Sequence, residues 1–211
     1  MITASLVLFH NDPAIYGEAI DSFLASAPEG ELWVSDNSAT PLSHPLFAHP
    51  RVHHVYNGGN LGFGAAHNRA FARLPESSTL HLILNPDVRF AVHVLPALQA
   101  VMDADHTIGA VMPRINFPDG NLQRLAKLLP SPVDLILRRF VPSGVVRERI
   151  NQRYELHDLP QDQAIEVPVI SGCCLLVRTQ ALRRVGGFDE RYFMYREDFG
   201  LVRRLGDFST I

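Results

Sequence analysis

Glu197 and Asp198 are adjacent carboxylates in the stretch GGFDERYFMYREDFGLVRRL, set among aromatic residues and arginines. Burial against Met194, Tyr195 and Phe199 would push such acids toward the neutral form, whereas Arg196, Arg203 or Arg204 would hold them ionised. An aspartate in that setting can act as a general base if it reaches a hydroxyl proton. An acidic pair that opens a helix also simply complements the helix macrodipole.

Three other places carry residue types that could do chemistry. Asp87 ends the apolar run LHLILNPD, and Pro86 prevents that run from continuing as a ladder. A carboxylate there suits Mg²⁺ or Mn²⁺, which take one or two protein carboxylates and complete their shell with water and substrate phosphates. Asp36 and Asn37 close the run ELWVSDNS, where an acid can accept hydrogen bonds from a ribose or a base. NGGNLGFGAAHN supplies Gly62 and Gly64 at the start of a helix, where backbone N–H groups can approach a diphosphate, with Asn60 and Asn68 as polar contacts or caps. His67 stands where a dinucleotide fingerprint needs its third glycine, so that fingerprint is broken. Each motif alone also has a plain turn or cap reading, and alone that reading is preferred. His53 and His54 are neighbours on a strand, face opposite sides and read as structural. No nucleophile elbow appears, which disfavours a hydrolase.

These residues must be held by elements that the chain announces. SLVLFH, ELWVSD, RVHHVYN and TLHLIL are short runs of the kind buried parallel strands show, with helices expected between them. Asp12 caps the first helix with Pro13 at its first position, and Tyr16, Ile20, Phe23 and Leu24 recur at helical spacing. HVLPALQAVMDAD predicts a helix, IGAVMPRI and VPVISGCCLLVR strands, and TQALRRVGGF a short helix stopped by glycines. Alternation of this kind predicts an α/β fold with a mostly parallel sheet and ligands at the carboxyl ends of its strands. From Pro118 to Glu166 the chain turns proline-rich and reads as an insertion, with Arg138, Arg139, Arg147 and Arg149 adding charge.

Composition removes several classes. The 211 residues, 46% hydrophobic and 19% charged with net charge -3, suit one soluble globular domain and give no basic footprint for nucleic acid. Cys173 and Cys174 are adjacent, unsuited to pair with each other and too few for a zinc site, so they read as reduced. With no signal sequence and no apolar run near the roughly 20 residues of a spanning helix, the protein reads as cytoplasmic. The arginine-flanked VDLILRRFVP could rest on an anionic membrane surface, but a core-covering insertion is the preferred reading.

Taken in order, SLVLFHND, VSDNS, NGGNLGFGAAHN, LNPD and SGCCLLVRTQALRRVGGFDERYFMYRED resemble the inverting family 2 glycosyltransferases of GT-A fold. The resemblance is strongest to the bacterial rhamnosyltransferase-like branch that builds cell-surface polysaccharide. It covers nearly the whole chain and is weakest over 118–166. It implies a Rossmann-like, mostly parallel sheet flanked by helices in one domain, 1–211. Within it, 1–115 would bind the nucleotide sugar, 116–166 would be a variable insertion and 167–211 the acceptor and catalytic half.

The activity implied is transfer of a sugar, rhamnose from dTDP-rhamnose, to a hydroxyl of a polysaccharide or lipid-linked acceptor, with Mg²⁺ or Mn²⁺ and peripheral contact at the inner face of the plasma membrane. The resemblance implies that Asp198 is the base, with Glu197 orienting it or the acceptor. Asp36 would contact the nucleoside, and Asn60, Gly62, Gly64 and Asn68 would line the donor pocket. Asp87 would hold the metal alone, because Asn85 stands at the first acidic position of the family's DxD-type motif. Gly172, Gly187, Phe188 and Asp189 would shape the acceptor side. Family members continue past GDFSTI to a histidine-containing segment, so the chain reads as C-terminally short with an exposed apolar edge at its end. The second reading is therefore a nucleotide-sugar-binding remnant without transfer; an NAD-dependent oxidoreductase is disfavoured by the broken glycine fingerprint.

Overall fold

Strand β1, Ile2–Leu8, is buried from its second residue onward and forms the centre of the sheet. The structure is a computed structural model and describes residues 1–128, 144, 151–152, 154–157, 163–193 and 197–206. Asp12 accepts the Ala14 N–H at 2.9 Å and Pro13 opens α1, Pro13–Ser26, as its missing N–H allows. Then follow β2 (Glu31–Asp36), a short 3-10 turn (Pro45–Ala48), β3 (Val52–Tyr56), α2 (Phe63–Phe71), β4 (Leu80–Leu84) and α3 (Val94–Ala104). β5 (Ala110–Val111), a small hairpin of β6 (Ile115–Asn116) and β7 (Leu122–Gln123), β8 (Cys174–Arg178), α4 (Thr179–Val185) and α5 (Glu197–Gly206) complete the order. Among the described residues no helix is long and apolar enough to cross a membrane.

The six-stranded sheet runs β3-β2-β1-β4-β8-β5, with β1 to β4 parallel and β8 antiparallel to both β4 and β5. The order reverses between β1 and β4, which is where an open α/β sheet leaves a crevice at its carboxyl edge. Because β8 is antiparallel to β4, with Leu84 opposite Cys174, the start of β8 lies against the end of β4. The Asn85 N–H donates to the Cys173 carbonyl at 2.8 Å and closes that junction.

Alternation along the strands divides the core in two. Leu6, Leu82, Leu84 and Leu176 face Tyr16, Ile20 and Phe23 of α1, whereas Ile83, Leu175 and Val177 face Leu182, Phe188, Leu201 and Leu205. The second face carries a polar seam that the apolar run SLVL conceals. Thr179, Ser78, Thr3, His81, Ser5 and His67 form a buried chain of hydrogen bonds with side-chain contacts of 3.0, 2.8, 2.8, 2.8 and 2.7 Å in that order. Burial pushes His67 down to about 3 and His81 well below the ordinary histidine value, so both are neutral and α2 is pinned to the sheet without a charge.

Two expected strands are shorter than the sequence suggests. IGAVMPRI supplies only Ala110–Val111 to the main sheet before Pro113 turns it into the small hairpin. In VPVISGCCLLVR only Cys174–Arg178 is strand, because Pro168 has no N–H to donate and Val169 makes just one bridge, to Lys127. Met194, Tyr195 and Arg196, the stretch VDLILRRFVP, the insertion arginines Arg138, Arg139, Arg147 and Arg149, and the terminal STI lie outside the described residues.

Candidate functional site

Asp36 ends β2 with 0% exposure. Its Oδ1 accepts the Ser38 N–H at 2.9 Å, and its Oδ2 accepts the Leu42 N–H at 2.7 Å and meets His54 Nε2 at 3.1 Å. Burial opposes its charge, but the hydrogen bonds from Leu42, Ser38 and His54 outweigh that and hold the carboxyl below its ordinary range. Expected as a nucleoside contact, Asp36 is fully buried and spends both carboxylate oxygens on anchoring the loop 37–42.

That loop meets the start of α2 through an asparagine cluster. Asn37 Nδ2 donates to Asn60 Oδ1 at 3.2 Å and to the Gly62 carbonyl at 3.1 Å, while Asn57 Nδ2 donates to Asn37 Oδ1 at 2.9 Å. Asn60 Oδ1 also accepts the Gly62 N–H at 2.9 Å. Gly62 sits at φ 84°, and a Cβ there would strike the Phe193 carbonyl, so only glycine lets the two segments approach. Gly64 packs against Phe188. Asn60, Gly62 and Gly64 are thus brought together, with Asn37 from the end of β2 and with Asn57, a partner that sequence reasoning did not single out. Its signal was present as a polar residue following β3.

Asn68 faces the other way. It donates to the Phe188 carbonyl and to Glu190 at 2.9 Å each and accepts the Phe188 N–H at 2.8 Å, so it clamps the Gly187–Phe188 turn. Asp189 is engaged by Arg191 at 2.6 to 3.1 Å, and that hydrogen bonding holds its carboxyl down to about 2. Gly187, Phe188 and Asp189 therefore form one built turn packed on α2 and α5.

At the end of β4, Asp87 is exposed and makes no hydrogen bond or ion pair among the described residues; its charge is felt by Cys173 next to it. One residue before Cys173, the Gly172 N–H points at Asp198 Oδ2, 3.4 Å away. Asp198 Oδ1 accepts its neighbour Phe199 N–H at 2.7 Å. A Cβ on Gly172 would lie 3.0 Å from Asp198 Cβ, so glycine permits this close approach. Glu197 is 7% exposed with Oε2 unpartnered, and desolvation, then the Asp198 charge, raises its pKa. Of the arginines expected to hold this pair, Arg204 acts elsewhere: it donates to the Gly200 carbonyl in its own helix at 3.2 Å and to the Val185 and Gly187 carbonyls at 2.6 and 2.7 Å, capping α4 and its glycine turn. Cys173 and Cys174 are free thiols, the latter pushed by burial up to about 12.

The structure thus gathers Asp87, Gly172 and Asp198 at one edge, beside the crevice whose other wall is the Asn37–Asn60–Gly62 cluster. Among the described residues no three His, Cys, Asp or Glu side chains converge as a metal cage. Asp87 fits Mg²⁺ or Mn²⁺ as a single protein ligand, since its carboxylate is unengaged and such ions accept substrate oxygens and water for the remainder. His10, also not singled out, follows the end of β1 by two residues and lies in the left-handed region at φ 55°, its N–H bonded to Ser38 Oγ at 3.0 Å and its ring against the half-exposed Phe9.

The family described as "Glycosyl transferase family 2" matches residues 6–186. The N-acetylglucosaminyl-diphospho-decaprenol L-rhamnosyltransferase of Mycobacterium tuberculosis is 35% identical over 90% of this chain, which spans 67% of that protein. Similar solved structures are GalNAc-T7 with UDP, GalNAc and Mn²⁺ (TM-score 0.66, 14% identity, 97% of this chain and 39% of that one). Staphylococcus aureus TarS 1-349 gives TM-score 0.63, 13% identity, and 97% and 55% coverage. The mannosyltransferase PcManGT of Pyrobaculum calidifontis, in complex with GDP-Man and Mn²⁺, gives 0.54, 17%, and 90% and 47%.

Proposed function

Since the chain belongs to glycosyl transferase family 2, with a GT-A fold, we propose that it transfers a sugar with inversion from a nucleoside-diphosphate donor to a hydroxyl of a lipid-linked or polysaccharide acceptor. The mycobacterial relative, named for L-rhamnose transfer to N-acetylglucosaminyl-diphospho-decaprenol, supports dTDP-rhamnose as the donor and the inner membrane face as the place of reaction. The observation that carries the reading is the junction of β4 and β8, which puts Asp87 and Asp198 at the same edge of the crevice.

In this reading the donor lies over the Asn60–Gly62–Gly64 loop, with the N–H groups opening α2 turned to its diphosphate. Asp198 Oδ2, held among the described residues by the long Gly172 contact alone, accepts the acceptor hydroxyl proton. That oxygen forms a bond to the anomeric carbon as the bond from that carbon to the diphosphate oxygen breaks on the opposite face, which inverts the centre. Glu197, whose pKa desolvation and then the Asp198 charge raise, lies next to Asp198 with Oε2 unpartnered and would orient the base or the acceptor. Asp87 would hold Mg²⁺ or Mn²⁺, which when bound offsets charge on the departing diphosphate. Both solved relatives carrying a nucleotide also carry Mn²⁺, which supports a divalent ion.

Thermal denaturation with dTDP, UDP, GDP or NAD, each with and without Mn²⁺, tests this. Mn²⁺-dependent stabilisation by dTDP, lost in Asp87→Ala, is expected. Stabilisation by no nucleoside diphosphate, or by NAD alone, would overturn the donor assignment.

A further inference from the structure

Phe193 is 56% exposed, whereas Phe188, five residues earlier in the same segment, is 3% exposed and packed against Phe63, His67 and Phe71. Phe188 therefore seats this segment, and Phe193 leaves most of a large apolar side chain in water. Its place is fixed all the same. The Gly187 carbonyl accepts from Arg204 at 2.7 Å, Asn68 binds both backbone groups of Phe188 at 2.8 and 2.9 Å, and the Tyr192 N–H donates to the Asp189 carbonyl at 3.2 Å. Phe193 then lies on the Asn60–Gly62 loop: its carbonyl meets the position that a Cβ on Gly62 would take, and its ring Cδ2 is 3.1 Å from that point.

Gly62 is also where α2 starts. Its carbonyl accepts the Ala66 N–H at 3.3 Å, so the N–H groups of Phe63, Gly64 and Ala65 come before the first bond of the helix. The next residue, Phe63, leads to the candidate base: its ring Cε1 is 4.0 Å from the position of a Cβ on Gly172, and Asp198 Cβ is 3.0 Å from that same position. The first two residues of α2 thus connect the exposed Phe193 ring to Asp198 through single contacts. In the transferase reading those N–H groups face the donor diphosphate, and Asp198 attends the hydroxyl that attacks the anomeric carbon. The sugar joined to that diphosphate then lies between Gly62 and Asp198, and Phe193 is an exposed aromatic at its border. One face of a pyranose presents C–H groups as an apolar surface, which a ring already held in place can cover at little cost in side-chain freedom.

We propose that Phe193 is the platform for the transferred sugar, stacking on its C–H face and turning the anomeric carbon toward Asp198. This rests on the donor reading above and assigns its sugar contact. The two are separated by titrating dTDP and dTDP-rhamnose, each with Mn²⁺, into the parent and into Phe193→Ala, Phe193→Leu and Phe193→Tyr by calorimetry. Phe193→Ala should bind dTDP-rhamnose about tenfold more weakly than the parent does, with dTDP affinity held within about twofold. Phe193→Leu, which keeps an apolar contact with Gly62 but has no ring, should show the same selective loss, and Phe193→Tyr should restore the parent affinity. Unchanged dTDP-rhamnose binding in the Ala and Leu variants would overturn the platform. Equal weakening of both ligands in the two variants would overturn it as well, making Phe193 a prop for the Asn60–Gly62 loop, and either result leaves the donor reading standing. A parent that binds neither ligand removes the donor reading and the platform with it.

Discussion

Asp36 and Asp198 are aspartates at the same edge of one sheet, yet the fold treats them oppositely. Asp36 is fully enclosed, with both oxygens accepting short bonds from Ser38, Leu42 and His54. Asp198 is half-buried, bonded closely only to the next residue, and meets Gly172 at the outer limit of a hydrogen bond. Asp87 is further along this gradient, exposed and without a hydrogen bond or ion pair among the described residues, and Glu197 is buried with an oxygen left over. A carboxylate whose lone pairs are all taken by the chain organises a loop. One whose lone pairs are open can meet a hydroxyl or a cation.

The contrast can be broken most decisively at Asp198. Asp198→Asn keeps size and removes basicity, so sugar transfer should fall by about 10²- to 10⁴-fold, as loss of a general base does, with unfolding midpoint and Mn²⁺-dependent dTDP response retained. Transfer within tenfold of the parent would show that this carboxylate is not the base. Asp36→Ala should act on folding instead. It leaves the buried N–H groups of Ser38 and Leu42 without an acceptor, a loss on the order of 3 kcal/mol that urea denaturation would read. Unchanged stability with lost dTDP binding would make Asp36 a ligand contact after all.

The smallest effect concerns the neutral histidines of the seam. His67 has a folded value of about 3 against 6.5, so below pH 6.5 the unfolded chain takes up a proton that the folded one refuses. Stability is complete above about 6.5 and declines as pH falls toward 3, by roughly 1 kcal/mol from His67 for the first pH unit below 6.5. Melting between pH 7.5 and 5 should show this decline, flattened in His67→Asn. A parent profile flat over that range would mean that the seam tolerates a charge.

Much of this arrangement was legible beforehand because its causes are local. Asp12-Pro13 before a helical repeat, Gly186-Gly187 after one, and short buried strands ending in polar turns each act within a few residues. What escaped were properties of partners distant in sequence. Thr3 and Ser5 sit in a run that reads as apolar, and only pairing β1 with β4 and laying α2 across them places His81 and His67 on those hydroxyls. Arg204 looked like a counter-ion for the acidic pair, but about two helical turns carry it to the carbonyls of Val185 and Gly187 at the end of α4. Asn68 looked like a pocket residue, and its amide instead closes a turn some 120 positions away.

Sequence alone determined the family, the alternation of strands and helices, and which carboxylates stand at strand ends or in the first turn of a helix. Those features follow from residue order, periodicity and the chemistry of turns. Tertiary structure decided which carboxylates remain open. Burial and hydrogen-bond saturation depend on which segments meet: the loop 37–42 folds over Asp36, and Gly172 comes beside Asp198 because β8 runs antiparallel to β4. Chain order specifies the groups, and long-range packing sets how much of each is left for a ligand.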